Sequence, residues 1–350
     1  MTVGAALVGD GIENPGNALA MLHAAEMYGV KCQFNDTKGL RESEVLQTNL
    51  DAHFPATTGL EVKTSHPRII AFDNLRGAKE VYGFFAGNNP AVVVGNERRG
   101  LSHEFRLLAT DAVQIPMVSK QINCLNVAAA SAVALHYLCR VKVGPMAKVT
   151  NPQNRRPEVL FLGAGDHIEL GSAIRSAAAF GWRRAFIEDR WQLWFGCDRI
   201  TRSEGRAAAR RGRNPIRLVP CSPEASHSFP EVTIVTTLHR GVPLQRTNLA
   251  HGSRQLVVIP DESQIQITEE EWERLGREVQ FAHLSQPVEK FTYQYRLVAT
   301  VALAEVSRQV GSRPPRHPSQ KRWAPVYDRA LEIASELSGE DVWLEDLLNY

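Results

Sequence analysis

The sequence predicts an α/β protein of two tandem units, each a mostly parallel sheet with flanking helices. Three observations predict it. Apolar runs without alternation, such as residues 91–94, read as strands buried on both faces. Segments with apolar residues at helical spacing lie between such runs. The order strand, loop, helix, glycine, strand occurs twice, first from Ala5 and again from Val159.

The elements follow in order. Residues 5–8 form the first apolar run, which ends in Gly9-Asp10-Gly11. A helix is expected over about 17–28, stopped by Gly29. Residues 34–66 are polar and weakly patterned. RIIAFDN (68–74) and AVVVGNE (91–97) are buried strands, and the alanine-rich segment 125–137 is a helix. The Pro/Asn/Arg-rich stretch 143–157 breaks the pattern and reads as a linker. Residues 158–189 then repeat strand, loop, helix, strand. EVTIVTT (231–237) and RQLVVIPDE (254–262) supply later strands, and residues 279–306 the last strand, loop and helix. HAAEMYG (23–29) lies over RSAAAFG (175–181), and VQIPMVSK (113–120) over VQFAHLSQ (279–286). The units therefore span 1–142 and 158–312, and the tail 313–350 reads as packing helices after a basic loop.

Composition narrows the class. A length of 350 residues with 43% hydrophobic content suits two ordinary domains. No apolar run approaches the ~18 residues of a membrane span, and the N-terminus lacks the basic start of a secretion signal. Five scattered cysteines without a CxxC pair argue against a disulfide framework or a zinc site and suit a reducing cytoplasm. The net charge of +2 excludes a nucleic-acid footprint over the whole chain. A local one remains: Arg199, Arg202, Arg206, Arg210, Arg211 and Arg213, between Arg183-Arg184 and Arg217. Several of these share a helical face, where arginines contact phosphates without reading sequence. Trp191 and Trp194 just before them could stack on bases.

Three segments of the first unit carry the chemistry. One is Asn14-Pro15-Gly16-Asn17, followed by His23; alone it reads as a turn. The second is Val92-Val93-Val94-Gly95-Asn96-Glu97-Arg98-Arg99-Gly100-Leu101-Ser102. The third is Ile115-Pro116-Met117 with Cys124-Leu125-Asn126-Val127, which opens the alanine-rich helix. Gly95 ends a buried strand, where a bulky ligand can approach the backbone. Ligands of α/β sheets bind beyond the carboxyl ends of strands. Ile115, Pro116, Met117 and Leu125 supply apolar walls around main-chain amides and carbonyls, a setting suited to an adenine ring. Asn126 can cap its helix or orient a ligand. No GxGxxG phosphate loop is present, which disfavours a dinucleotide.

In this order, the three segments resemble the motifs of the SPOUT superfamily, specifically the SpoU/TrmH-type RNA 2′-O-ribose methyltransferases, over residues 5–140. The resemblance implies a trefoil knot in the first unit and S-adenosylmethionine bound within it. It implies cofactor contacts around Val94, Gly95, Asn96, Gly100, Ile115, Met117, Cys124, Leu125 and Asn126. Glu97 matches the motif's acidic position, and Asn17 its first segment. No metal is needed.

The departures from the family pattern are informative. The arginine that closes the family's first motif is His23 here, a nearby glycine is Leu19, and the serine before Leu-Asn is Cys124. At the corresponding place the second unit keeps both Gly171 and Arg175. Its pocket motifs differ instead: Val94-Gly95-Asn96-Glu97 corresponds to Ile259-Pro260-Asp261-Glu262, Pro116-Met117 to Ala282-His283, and Leu125-Asn126 to about Phe291-Thr292. SPOUT enzymes are usually homodimers with active sites at the subunit interface. The chain is therefore expected to be a monomeric pseudo-dimer with one site, the first unit holding the cofactor and the second presenting Arg175. The alternative for Arg175 is an ion pair with Glu169. Arginine is a poor free base, and His23 titrates near neutral pH, so His23 is a candidate base. Three functions stay open: methylation of tRNA or rRNA ribose, methylation of a nucleoside or other small molecule, and non-catalytic RNA binding.

Overall fold

The computed structural model describes residues 4–50, 54–75, 77–119, 121–147, 156–210, 212–221, 232–247, 249, 255–265, 278–285 and 290–311. The centre of the expected linker, the tail 313–350 and Arg211 lie outside these residues.

In the first half, β1 (Ala6–Asp10), α1 (Pro15–Met27) and β2 (Lys31–Asn35) are followed by α2 (Glu44–Asn49), α3 (Gly59–Ser65) and β3 (Arg68–Phe72). Then come β4 (Lys79–Glu80), β5 (Pro90–Gly95), α4 (His103–Leu108), β6 (Asp111–Gln114) and α5 (Val127–Leu135), which runs on through a π-turn at His136–Arg140. Helix α1 starts earlier than its apolar spacing suggests. Asn14 accepts the Asn17 N–H at 3.0 Å and Pro15 occupies the first turn, so Asn-Pro-Gly-Asn is a helix start and not a free turn. The weakly patterned stretch 34–66 contains two short helices, α3 being set by a capping box of Thr58 and Glu61.

The second half comprises β7 (Glu158–Leu162), α6 (His167–Ala179), β8 (Arg184–Glu188), α7 (Arg199–Ala208), β9 (Arg217–Pro220), β10 (Val232–Thr237), β11 (Val242–Pro243), β12 (Gln255–Pro260), β13 (Glu278–His283) and α8 (Tyr295–Val310).

The strands form two sheets, ordered β2-β1-β5-β3-β6-β4 and β11-β13-β10-β12-β7-β8-β9, with every strand pairing parallel. Replacing β1, β2, β3, β4, β5 and β6 by β7, β8, β10, β11, β12 and β13 converts one order into the other. β9 is an additional edge strand.

The registers correct two of the residue correspondences. Ala71 pairs with Val93 and Ala112, whereas Val235 pairs with Val258 and Phe281. Ala112 thus stands opposite Phe281, and Gln114 opposite His283. The Val-Gln match between 113–120 and 279–286 is out of register by about three residues, because β13 begins further from the sheet's carboxyl edge. The helix caps make the second correction. Asn126 caps α5 and Gln294 precedes α8, so Asn126 matches Gln294 and not Thr292.

Both faces of each sheet are buried. Leu7, Ile70, Val92 and Val94 face one core, while Val8, Ile69, Ala71 and Val93 face another. The first core runs on into the second half through α1, α5, α6 and α8, which lie between the sheets. Helix α5 packs on α8, and its small residues permit close approach. The Tyr137 hydroxyl donates to the fully buried Glu305 at 2.7 Å, and Arg308 pairs with the same carboxylate at 2.6 Å. The halves therefore share one apolar core and a polar contact inside it. No helix among the described residues is long and apolar enough to cross a membrane.

Candidate active site

The carboxyl ends of β3, β5 and β6 and the start of α5 open into a cleft of about 590 Å³. Small-molecule sites typically measure about 300–1,000 Å³. The three sequence segments meet here, and Arg175, Arg210 and Arg213 of the second half complete the lining.

The turn after β5 is built by glycine and asparagine. Asn96 and Gly100 exchange backbone hydrogen bonds of 2.8 and 3.0 Å. The Asn96 side chain donates to the Gly11 carbonyl at 2.6 Å and accepts the Arg98 and Arg99 amides at 2.8 and 3.0 Å. A Cβ on Gly95 would run into the Gly100-Leu101 backbone. Close packing of the turn on itself therefore requires glycine there. Gly100 takes a φ of +76°, and a Cβ on it would come within 2.9 Å of the Asp73 carboxylate.

The second half holds the wall formed by the third segment. The Val118 and Ser119 amides donate to the Ala179 carbonyl at the end of α6, at 3.0 and 3.1 Å. One helical turn earlier, Arg175 donates through Nε to the Cys124 carbonyl at 2.9 Å and through Nη2 to the Leu125 carbonyl at 2.7 Å. Arg175 is 9% exposed and, among the described residues, meets no carboxylate. Burial pulls its pKa down, countered by Cys124 and reinforced by neighbouring Arg210. Glu169 pairs with Arg296 at 3.0 Å, so the alternative of an Arg175–Glu169 pair is overturned. The nearby Gly171 has its own reason: a Cβ there would strike the Gly205 backbone of α7.

A chain of amides and one carboxylate fixes the floor. Asn126 caps α5 through Oδ1 and donates through Nδ2 to Asn17 Oδ1 at 2.9 Å. Asn17 donates in turn to Glu97 Oε1 at 2.9 Å. Glu97 also accepts the backbone amides of Glu13 and Asn14 at 3.1 and 3.2 Å. This carboxylate ties the first segment to the second.

Residues 4–136 match the family model of the SpoU rRNA Methylase family. The matched stretch holds all three sequence segments and ends just after α5. Solved structures resemble the chain in part. A protein studied for 2-OH methylation of C/U34 on tRNA is 26% identical, over 38% of this chain and 91% of that one, with a TM-score of 0.32. The SpoU methyltransferase AviRb from Streptomyces viridochromogenes is 17% identical over 60% of this chain and 79% of its own, with a TM-score of 0.35. An AdoMet-bound rRNA methyltransferase from Sinorhizobium meliloti is 12% identical over 60% and 76%, with a TM-score of 0.37. A comparison with curated proteins finds no match.

Every residue expected from the resemblance to contact cofactor lines the cleft: Val94, Gly95, Asn96 and Gly100 from the second segment, and Ile115, Met117, Cys124, Leu125 and Asn126 from the third. Asn17, Glu97 and Arg175 line it as well. His23 does not. It lies against the start of α8, where Gln294 Nε2 donates to its Nδ1 at 2.6 Å. Burial lowers its pKa; Glu26 opposes this and Arg296 adds to it. The arginine cluster divides. Arg210 and Arg213 line the cleft, while Arg199, Arg202 and Arg206 are exposed on α7 and are not part of its lining, and Arg211 lies outside the described residues.

Phe72, Asp73 and Asn74 were missed. Phe72 ends β3 and the other two follow it, and the rule that ligands bind beyond strand carboxyl ends would have found them. The matching strand end of the second half carries two tyrosines. Tyr293 and Tyr295 donate to the carbonyls of Pro260 and Ile259 at 3.4 and 2.8 Å, across the end of β12.

Proposed function

We propose that the chain is an S-adenosylmethionine-dependent RNA methyltransferase acting on ribose 2′-oxygens of tRNA or rRNA, with one site between two fused halves. The observation that carries this reading is the cleft. The SpoU segments converge there, and three arginines of the other half close it.

The residues present fit the cofactor. Ile115, Met117, Leu125, Val127 and Ala130 give an apolar surface for a flat base, with backbone amides and carbonyls at its edge. Asp73 and Glu97 are carboxylates suited to an ammonium, and Arg98, which the first half itself contributes to the lining, is suited to a carboxylate. When bound, the cofactor supplies an electrophilic methyl carbon on a sulfonium. The chain's part is positioning, which can lower a barrier by roughly 7–11 kcal/mol. Arg175 locks the Cys124-Leu125 backbone, and Glu97 and Asn17 lock the floor. A guanidinium beside an attacking hydroxyl favours the oxyanion that develops as its proton passes to solvent water at the cleft mouth, without itself serving as base.

The shared core and the pseudo-symmetric order of the sheets support a monomer in place of the homodimer of simpler relatives. None of the five cysteines forms a disulfide, which suits a reducing cytoplasm.

The test combines calorimetry with S-adenosylmethionine, light scattering, and transfer of labelled methyl to cellular RNA, with nucleosides analysed by mass spectrometry. One cofactor per monomeric chain and 2′-O-methylated nucleosides are expected. Two cofactors per chain would overturn the single site, and absence of label in every RNA fraction would overturn the substrate.

A further inference from the structure

Arg210 stands where a helix normally ends on glycine. Helix α7 is capped by Ala209, and Arg210 follows with φ +49°, its amide bonding to the Ala207 carbonyl at 3.0 Å. This left-handed position disfavours any residue with a Cβ, and glycine is its usual occupant. An observed outlier of this kind points to a functional constraint on the side chain.

The side chain reaches the cleft. Arg210 Nη1 lies 3.1 Å from Cys124 Sγ, the same distance as Arg175 Nη2 from that sulfur. Arg213, whose amide bonds to the Arg210 carbonyl at 2.9 Å, lines the same mouth. Among the described residues, no carboxylate lies within ion-pair distance of any of the three. Three guanidiniums thus converge with no ion-paired carboxylate among the described residues. Arg175 is buried and bound to backbone carbonyls, whereas Arg210 and Arg213 are exposed at the rim.

We propose that Arg210 and Arg213 grip the phosphodiester adjoining the ribose presented to the cleft, so that the second half selects a polynucleotide over a free nucleoside. This rests on the methyltransferase reading and assigns the recognition of substrate to the half without a cofactor pocket. Guanidiniums bind phosphate oxygens in a fork, a geometry that lysine does not reproduce.

The test uses the full chain with Arg210→Gly and Arg213→Ala. Glycine suits the left-handed position, so Arg210→Gly is expected to melt at or above the wild-type temperature. Both variants are expected to bind RNA at least 10-fold more weakly. The slope of log affinity against log salt is expected to become shallower by about 0.7 for each phosphate of a single strand that is no longer neutralised. Calorimetric affinity for S-adenosylmethionine is expected to stay within about twofold. Nucleoside monophosphate should compete weakly and nucleoside not at all.

Unchanged RNA affinity and salt slope in both variants, with wild-type RNA binding intact, would overturn this inference alone. Loss of cofactor affinity in step with RNA affinity would reassign the arginines to the cofactor's carboxylate and also overturn it. A wild-type chain that binds cofactor but no RNA would sink the methyltransferase reading itself, and this inference with it.

Discussion

Arg175 Nη2 donates to the Leu125 carbonyl at 2.7 Å, so a helix of the second half completes the pocket wall of the first. The guanidinium also holds the Cys124 carbonyl. A charged donor to a carbonyl contributes about 1.5–3 kcal/mol, and removing it from a buried setting leaves both carbonyls unpaired. Arg175→Ala is therefore expected to weaken S-adenosylmethionine binding about 10- to 100-fold, a cost of about 1.4–2.8 kcal/mol. Arg175→Lys should recover only part of this, because one ammonium does not span two carbonyls in the guanidinium's fork. Calorimetry decides the matter: an Arg175→Ala chain with wild-type affinity would show that the wall stands without it.

Asn126 has two duties that one pair of variants separates. Its Oδ1 caps α5, and its Nδ2 holds Asn17, which holds Glu97. Asn126→Ala removes both and is expected to cost about 1 kcal/mol in urea unfolding from the cap alone. Asn126→Asp keeps a capping oxygen and should stay within about 0.5 kcal/mol of wild type. Yet it turns a donor to Asn17 into an acceptor and adds charge near Glu97. Both variants are expected to lose cofactor affinity. If Asn126→Asp binds normally, the chain to Glu97 has no part in shaping the floor.

The pocket was legible in the sequence because its segments are local. Val94, Gly95 and Asn96 are adjacent in the chain, and a strand ending in glycine announces its own turn. The SpoU motifs did the rest for Ile115, Met117 and Leu125. What the sequence withheld lies between distant segments. The register of β13 depends on its neighbour β10 and not on its own Val-Gln pair. The split of the arginine cluster depends on where α7 ends, since Arg206 is helical and Arg210 has passed into the left-handed turn. His23 drew attention by its chemistry, but its surroundings were set by Gln294, far along the chain.

That placement supports a packing role for His23. Its imidazole is half-buried against Gln294, burial lowers its pKa and so favours the neutral ring, and it is not part of the cleft lining. His23→Ala is expected to leave the methyl-transfer rate within about twofold. A general base contributes about 10²–10⁴-fold, so a fall of that size would restore His23 as the base.

His136 is expected to shape the acid limit of stability. It is 1% exposed, its Nδ1 lies 3.3 Å from the Tyr28 hydroxyl, and its Nε2 has no partner among the described residues. Burial brings its pKa from 6.5 to about 4, with Glu305 opposing and Arg140 and Arg308 assisting. The folded state thus prefers the neutral ring. The preference is fully present above pH 6.5, the unfolded value, and is lost as pH falls toward about 4. At most about 3 kcal/mol is at stake, since a tenfold change in proton affinity is worth about 1.36 kcal/mol. Urea midpoints at pH 7, 5.5 and 4.5 should therefore fall more steeply for wild type than for His136→Gln, whose side chain does not titrate. The variant should start lower at pH 7, having exchanged a fitted ring for an amide, and the two curves should converge on acidification. Parallel curves would mean that the buried imidazole is not what acid attacks, and the paired carboxylate of Glu305 would then be the group to test.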